Sequence, residues 1–202
     1  MLVSYLAFTG AAALIVLLPG PDTLVVVRSI LRGGRRQGVL TALGNLTGLT
    51  IWVTCAVLGI TALLHASEVG YNVLRAIGAC YLVYLGVQAW RSRGQIEDEV
   101  TGSGGVLGTG FKAGILTNLF NPKVGVFFVT FLPGFVPDGA SVGVTTAAFG
   151  AIFVLLTALY WLALLGIAER VRTWMSTPRI RRRMDVLTAG VLVGFGVRLA
   201  TE

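Results

Sequence analysis

The chain has 202 residues, 55% of them hydrophobic and only 12% charged, with a mean hydropathy of +0.82. Soluble domains carry about 25% charged residues, so this deficit, with long apolar runs, excludes an ordinary soluble domain and places the chain in a membrane. The net charge of +7 does not point to nucleic acid, because the basic residues sit in short segments between apolar runs.

Six apolar segments are read, at about 2–27, 39–64, 70–90, 112–134, 143–168 and 184–200. A membrane-spanning helix needs roughly 20 residues. Five segments are long enough, and the sixth ends at Arg198, whose stem can snorkel to the interface. No stretch remains for a separate soluble core. The expectation is one transmembrane domain over 1–202, with a first half of about 1–92, a linker of about 93–111 and a second half of about 112–202.

The first segment has no positive n-region and no small-residue cleavage site, and reads as a retained helix rather than a signal peptide. It is interrupted at Leu18-Pro19-Gly20-Pro21-Asp22-Thr23. Proline lacks the backbone donor that continues a helix. Asp22 lies near the centre of an otherwise uncharged run, where an ionised Asp costs roughly 2.5–3.5 kcal/mol. Free backbone donors at the new helix start, a cation or protonation would compensate. A plain N-cap in a tolerated kink is the structural alternative.

The second segment carries Gly44-Asn45-Leu46-Thr47-Gly48, a small-residue pattern that lets helices approach closely. Packing is its first meaning, and Asn45 is also a candidate for lining a pathway. In the third segment Arg75 lies near the outer end, where snorkelling and function are equally good readings. Cys55 and Cys80 form no CxxC and are expected to be small buried residues rather than a disulfide. Trp52, Tyr81, Tyr84, Trp90, Tyr160 and Trp161 are aromatic, and several sit where interfacial belts occur. A glycine-rich run, 102–110, reads as a flexible linker.

The fourth segment repeats the interruption, at Leu119-Phe120-Asn121-Pro122-Lys123-Val124. Asn121 is suited to cap the half-helix that Pro122 opens. Lys123 then faces a positive helix end and needs an anion, supplied by Asp22 or by a substrate carboxylate; snorkelling is the alternative. Asn118, just before the break, is a second pathway candidate.

The two halves are related. Aligning Pro21 with Pro122 sets Asp22 opposite Lys123, and Tyr81–Val87 resembles Val191–Val197 in a register that sets Arg75 opposite Asp185. With three spans per half, a repeat must be inverted across the bilayer, which brings two broken helices together at the centre. The expected fold is an all-α membrane protein of six transmembrane helices in two inverted three-helix repeats, the first and fourth helices broken at proline. Of the 16 Lys and Arg residues, 13 fall in the first, third and fifth connections. The positive-inside rule makes those connections cytoplasmic and puts both termini outside.

No P-loop or dinucleotide fingerprint is present, so a secondary transporter rather than an enzyme is expected, with no cofactor. With a single His, His65, and no ligand set around it, no metal site is expected. A carboxylate that takes a proton in one facing and releases it in the other would couple two fluxes, and Asp22 is the candidate. A cation or metal exporter on a related six-helix scaffold is the main rival, followed by a thiol redox protein and a membrane scaffold.

Residues 18–48, with Leu-Pro-Gly-Pro-Asp-Thr, Arg-Gly-Gly-Arg-Arg-Gln-Gly and Gly-Asn-Leu-Thr-Gly, resemble the N-terminal signature of the LysE/RhtB family of amino-acid exporters. Residues 114–136, with Asn121-Pro122-Lys123 and Phe131-Leu132-Pro133, resemble its fourth-span signature. Arg75, Gly78 and Tyr81–Gly86 resemble its third span. The resemblance implies export of an amino acid or close derivative across the bacterial inner membrane, driven by the proton motive force. The partners are then the amino acid, protons and membrane lipid, with no nucleic acid and with room for a homo-oligomer. Many members carry Asn where this chain has Asp22, and Gln where it has Gly134, which leaves the substrate open. Residue reading and resemblance converge on a zwitterion site. Lys123 and backbone donors at the breaks hold the carboxylate, Asp22 holds the ammonium, and Asn45, Asn118, Asn121, Pro21, Pro122 and Arg75 complete the site.

Overall fold

The computed structural model describes residues 1–66, 68–91, 108–167, 170 and 177–201. Most of the expected linker lies outside them, as do Arg93 and Arg172 and the side chains of His65, Arg75 and Asp185. Among the described residues the regular structure is entirely helical. In chain order the helices are α1 (Leu2–Leu17), α2 (Pro21–Ala66), α3 (Glu68–Arg91), α4 (Phe111–Leu119), α5 (Pro122–Val126), α6 (Val142–Gly166) and α7 (Pro178–Thr201). From α5 the chain continues through a π-helical turn, Phe127–Phe131, and a 3-10 turn, Leu132–Phe135.

Two helical stretches hold a window long and apolar enough to cross a membrane, one within Pro21–Gly59 and one within Val142–Gly166, and only 33% of each window is buried. A helix in a soluble core would bury most of such a window, so their exposed apolar faces call for lipid. Leu2–Leu17, Ala76–Gln88 and Val186–Arg198 are shorter apolar helices. Cys55 and Cys80, expected to be buried, are exposed. Each takes an outward position on its helix, where an apolar surface needs only small apolar side chains.

Where the sequence suggested a connection around residues 28–38, the chain turns at one residue. Gly34 has φ 69° and ψ −175°, a conformation essentially closed to residues with a Cβ. It divides α2 into arms 21–33 and 35–66 that fold back on each other. The hydroxyls of Ser29 and Thr41 meet at 2.8 Å, whereas an unbroken helix would hold residues that far apart in sequence roughly 18 Å apart.

Two helix pairs pack through glycine. A Cβ on Gly86 would lie 2.7 Å from Val193 Cγ2 and 2.9 Å from Ala189 O, and one on Gly196 would lie 2.6 Å from Val83 Cγ2 and 2.8 Å from Ala79 O. Each glycine is level with residues that precede the other glycine. As one helix advances the other therefore recedes, so α3 and α7 run antiparallel. In the second pair, Gly44 lies against the Phe111 carbonyl and Gly48 against that of Ile115, while Gly114 lies against the Thr41 carbonyl. These contacts advance together, so the second arm of α2 runs parallel to α4. The Gly44-xxx-Gly48 pattern thus has the packing role its spacing suggested.

Phenylalanines fill the core between these pairs. Phe8 of α1 stacks on Phe149 of α6 at 4.3 Å between centroids, Phe127 packs against Phe153 at 5.0 Å, and Phe131 against Phe195 at 4.6 Å. The π-helical turn carries three of these buried rings, Phe127, Phe128 and Phe131.

Candidate functional site

Both proline-bearing segments are interrupted, and the consequences follow from the missing N–H. An α-helical carbonyl bonds the N–H four residues on. For Ile15 that residue is Pro19, and for Asn118 it is Pro122. Each break therefore strands a carbonyl at the end of the helix before it, and each is satisfied from elsewhere in the fold. The Lys123 ammonium donates to Ile15 O at 3.2 Å and to Leu18 O at 2.9 Å. The Trp52 indole N–H donates to Asn118 O at 3.3 Å, and the Asn121 N–H donates to the same oxygen at 3.0 Å.

Asn121 organises the second break. Its backbone is extended at φ −78° and ψ 106°, and its Oδ1 accepts the Lys123 N–H at 3.1 Å as the cap of α5. That leaves Nδ2 to donate to Asp22 Oδ2 at 2.7 Å, where Asn118 Nδ2 also donates, at 3.4 Å. Each break thus sends its charged residue to the other: Asp22, in the first turn of α2, is held by the amides at the second break, and Lys123, in α5, by the carbonyls at the first.

Lys123 has the expected anion nearby, because Asp22 interacts with it electrostatically, but its hydrogen bonds go elsewhere. Its hydrogen-bond partners are carbonyls at the C-terminal end of α1, where partial negative charge accumulates. Those of Asp22 are neutral amides. Nor does Lys123 snorkel, since it reaches inward to α1.

Both charges border one cavity of about 370 Å³, its open mouth included. Asn45 and Asn118 border it too, with Thr23, Thr157, Tyr160 and Trp161. The amide orientations follow from their partners. Trp161 Nε1 can only donate, and it bonds Asn45 Oδ1 at 3.1 Å, so Asn45 Nδ2 is the end turned toward Asp22, without closing a hydrogen bond to it. Asn118 donates to a carboxylate, so its Oδ1 is the free end. Asp22 Oδ1, Asn45 Nδ2 and Asn118 Oδ1 are all buried and have no hydrogen-bond partner. Buried polar atoms are nearly always paired in proteins, and here three unpaired ones come from residues lining a single cavity.

Of the expected site residues, Asp22, Lys123, Asn45 and Asn118 come together in the lining. Asn121, Pro21 and Pro122 instead shape the breaks: Asn121 is buried and holds Asp22, and the two prolines open α2 and α5. Arg75 lies on α3, with its side chain outside the described residues. The reading from sequence missed Thr23, Thr157, Tyr160 and Trp161 as lining and gave Trp52 no role of its own, whereas its indole packs on Gly125 and holds the stranded Asn118 carbonyl. A signal was available in α6. Thr157, Tyr160 and Trp161 fall at i, i+3 and i+4 on a helix that is otherwise apolar after Thr146, which puts three polar-tipped side chains on one face. Among the described residues, no group of three or more His, Cys, Asp or Glu side chains could hold a metal ion.

Exposed apolar helices around a polar cavity between two interrupted helices define a helical membrane protein of the transport class. The family model for LysE type translocators matches residues 13–202, and the chain belongs to that family. It is 30% identical to the uncharacterized membrane protein YrhP of Bacillus subtilis, over 96% of this chain and 97% of that one. It is 30% identical to the leucine efflux protein of Salmonella typhimurium, over 98% and 95% of the two chains. It is 25% identical to the homoserine/homoserine lactone efflux protein of the same organism, over 98% and 96%. No solved structure matches the chain.

Proposed function

We propose that the protein exports an amino acid or close derivative across the bacterial inner membrane, as a secondary transporter driven by the proton motive force. The observation that carries this reading is the set of unpaired buried atoms bordering one cavity: Asp22 Oδ1, Asn118 Oδ1 and Asn45 Nδ2. Two are acceptors suited to an ammonium, and one is a donor suited to a carboxylate. Lys123 adds a further donor, because an ammonium has three N–H bonds and two are in use. An amino-acid zwitterion would satisfy all four groups. Pairing both of its ends offsets a desolvation penalty that an unpaired charge would leave standing. The efflux activities named for the Salmonella relatives support the same reading.

Proton coupling follows from Asp22. Its free oxygen would receive either the substrate ammonium or a proton, not both. A proton arriving from outside displaces the substrate, and release of that proton inside restores the site. The architecture that makes this exchange alternate is six spans in two inverted halves. The reciprocal Gly86 and Gly196 contacts support it, since helices related by an inverted repeat must run antiparallel, as α3 and α7 do. The two proline breaks, each holding the other's charge, support it as well. Both termini would then lie outside, with the basic connections in the cytoplasm. A metal exporter is less favoured, because among the described residues the cavity lining offers one carboxylate and no imidazole or thiolate.

The test is efflux from proteoliposomes that contain the purified chain and a mixture of labelled amino acids, with the outside acidic or at the pH of the lumen. Export of at least one amino acid, faster with the outside acidic, is expected. Retention of every amino acid at rates equal to empty liposomes would refute the reading.

A further inference from the structure

The polar groups around the cavity fall into two sets. Asp22 Oδ1, Asn118 Oδ1 and Asn45 Nδ2 are open, and with Lys123 they match the ammonium and carboxylate of an amino acid. The others are engaged within the protein. The Thr157 hydroxyl donates to Phe153 O at 2.8 Å, the Thr23 and Tyr160 hydroxyls bond each other at 3.1 Å, and the Trp161 N–H bonds Asn45. Once the zwitterion's two ends are placed, every buried polar side-chain atom of the lining among the described residues has a partner, and what is left is the second hydrogen-bonding capacity of the Thr23, Thr157 and Tyr160 hydroxyls. The rest of the wall is Ile15, Val16, Leu18, Leu49, Val124 and Phe153.

Charge points the same way. Among the described residues the lining has one carboxylate and one ammonium. A substrate with a second cation would find Asp22 already occupied and Lys123 repelling it, and a buried unpaired charge is strongly disfavoured.

We propose that the cavity selects an amino acid with a neutral aliphatic side chain, and that Leu49, Val124 and Phe153 set the size it accepts. This assignment rests on the export reading and narrows it. Leu49 comes from the second arm of α2, Val124 from α5 beside Lys123, and Phe153 from α6. All three are buried, so three elements of the fold close around the side chain.

Proteoliposomes holding the full chain are loaded with labelled L-leucine, L-lysine or L-homoserine at equal concentration, and initial efflux is measured. Leucine is expected to leave more than about 100-fold faster than lysine. It should lead homoserine by about 10–100-fold, because homoserine puts a hydroxyl where leucine puts its branched methyl end, and missing apolar groups in such a pocket count on that scale. Val124→Thr replaces a methyl by a hydroxyl at nearly constant volume and is expected to narrow the leucine-to-homoserine ratio several-fold. Leu49→Ala is expected to admit L-phenylalanine. Lysine leaving as fast as leucine would overturn the aliphatic assignment and leave amino-acid export standing, whereas efflux of none of the labelled amino acids would overturn both. Unchanged ratios in both variants, each eluting as a monodisperse species in detergent, would overturn the assignment of the wall. Should either variant fail to fold, the three-substrate comparison on the unmodified chain still decides the class.

Discussion

At the scale of single residues, the site is built from what two prolines take away. Pro19 strands the Ile15 carbonyl, and Lys123 answers it. Replacing Lys123 with Met keeps the stem and removes the donors. Each buried carbonyl left unpaired costs about 1–3 kcal/mol, so Lys123→Met is expected to lower thermal stability measurably in detergent and to abolish export. Asn121→Ala removes both the cap of α5 and the shortest bond to Asp22. Loss of the cap alone costs about 0.5–2 kcal/mol. The variant is expected to show that destabilisation together with weakened substrate binding, whereas Asn121→Asp should keep the cap and still lose binding, because two carboxylates would then face each other. Titrating labelled substrate against both variants separates these effects. The charged pair was legible in the sequence because a charge inside an apolar run stands out. Its partners were not: which carbonyl a lysine reaches depends on which helices meet, and nothing in Lys123's own neighbourhood records that it crosses to α1. The expectation named Asp22 as the anion and missed the carbonyls for that reason.

At the scale of elements, glycine decides how closely and in which direction helices lie. Gly34 holds a positive φ with an extended ψ, so Gly34→Ala is expected to cost about 1–3 kcal/mol, seen as a lower midpoint of thermal unfolding. Gly44 touches the Phe111 carbonyl so closely that Gly44→Val must push α4 away from α2. Overpacking of this kind costs about 1–3 kcal/mol or more, and because the same contact positions Asn45 and Asn118 it should reduce export as well as yield. The helices themselves were readable from apolar run length and proline, and their ends lie close to the segments expected. The hairpin at Gly34 was not, because Arg-Gly-Gly-Arg-Arg reads equally well as a polar connection. The π-helical turn after α5 also left no mark, since the run Phe127-Phe128-Val129-Thr130-Phe131 suits an ordinary helix, and its packing against Phe8, Phe153 and Phe195 is a matter of tertiary structure.

For the whole molecule, the two halves matter through what each places in the other. The reciprocal contacts of Gly86 and Gly196 follow the register that aligned Tyr81–Val87 with Val191–Val197, so a weak likeness in sequence corresponds to a local two-fold in space. If the halves are inverted copies, Gly86→Leu and Gly196→Leu should impair folding and export to similar extents, since each meets the same atoms of the opposite helix. Unequal effects, one severe and one silent, would argue against equivalent roles. The proposed orientation gives an independent check. A reporter active only outside the cytoplasm, fused after Glu202, should be active, and the same reporter inserted at Arg35 should be silent.

The central claim is that one carboxylate oxygen, Asp22 Oδ1, serves either the substrate ammonium or a proton, and that this competition drives export. It is tested most directly by efflux of a transported amino acid from proteoliposomes with the outside acidified stepwise, comparing the unmodified chain with Asp22→Asn. The account predicts that efflux from the unmodified chain rises with the inward proton gradient, while Asp22→Asn, if it moves substrate at all, does so at a rate independent of that gradient. An Asp22→Asn variant whose efflux rises with the gradient as steeply as the unmodified chain's would contradict it.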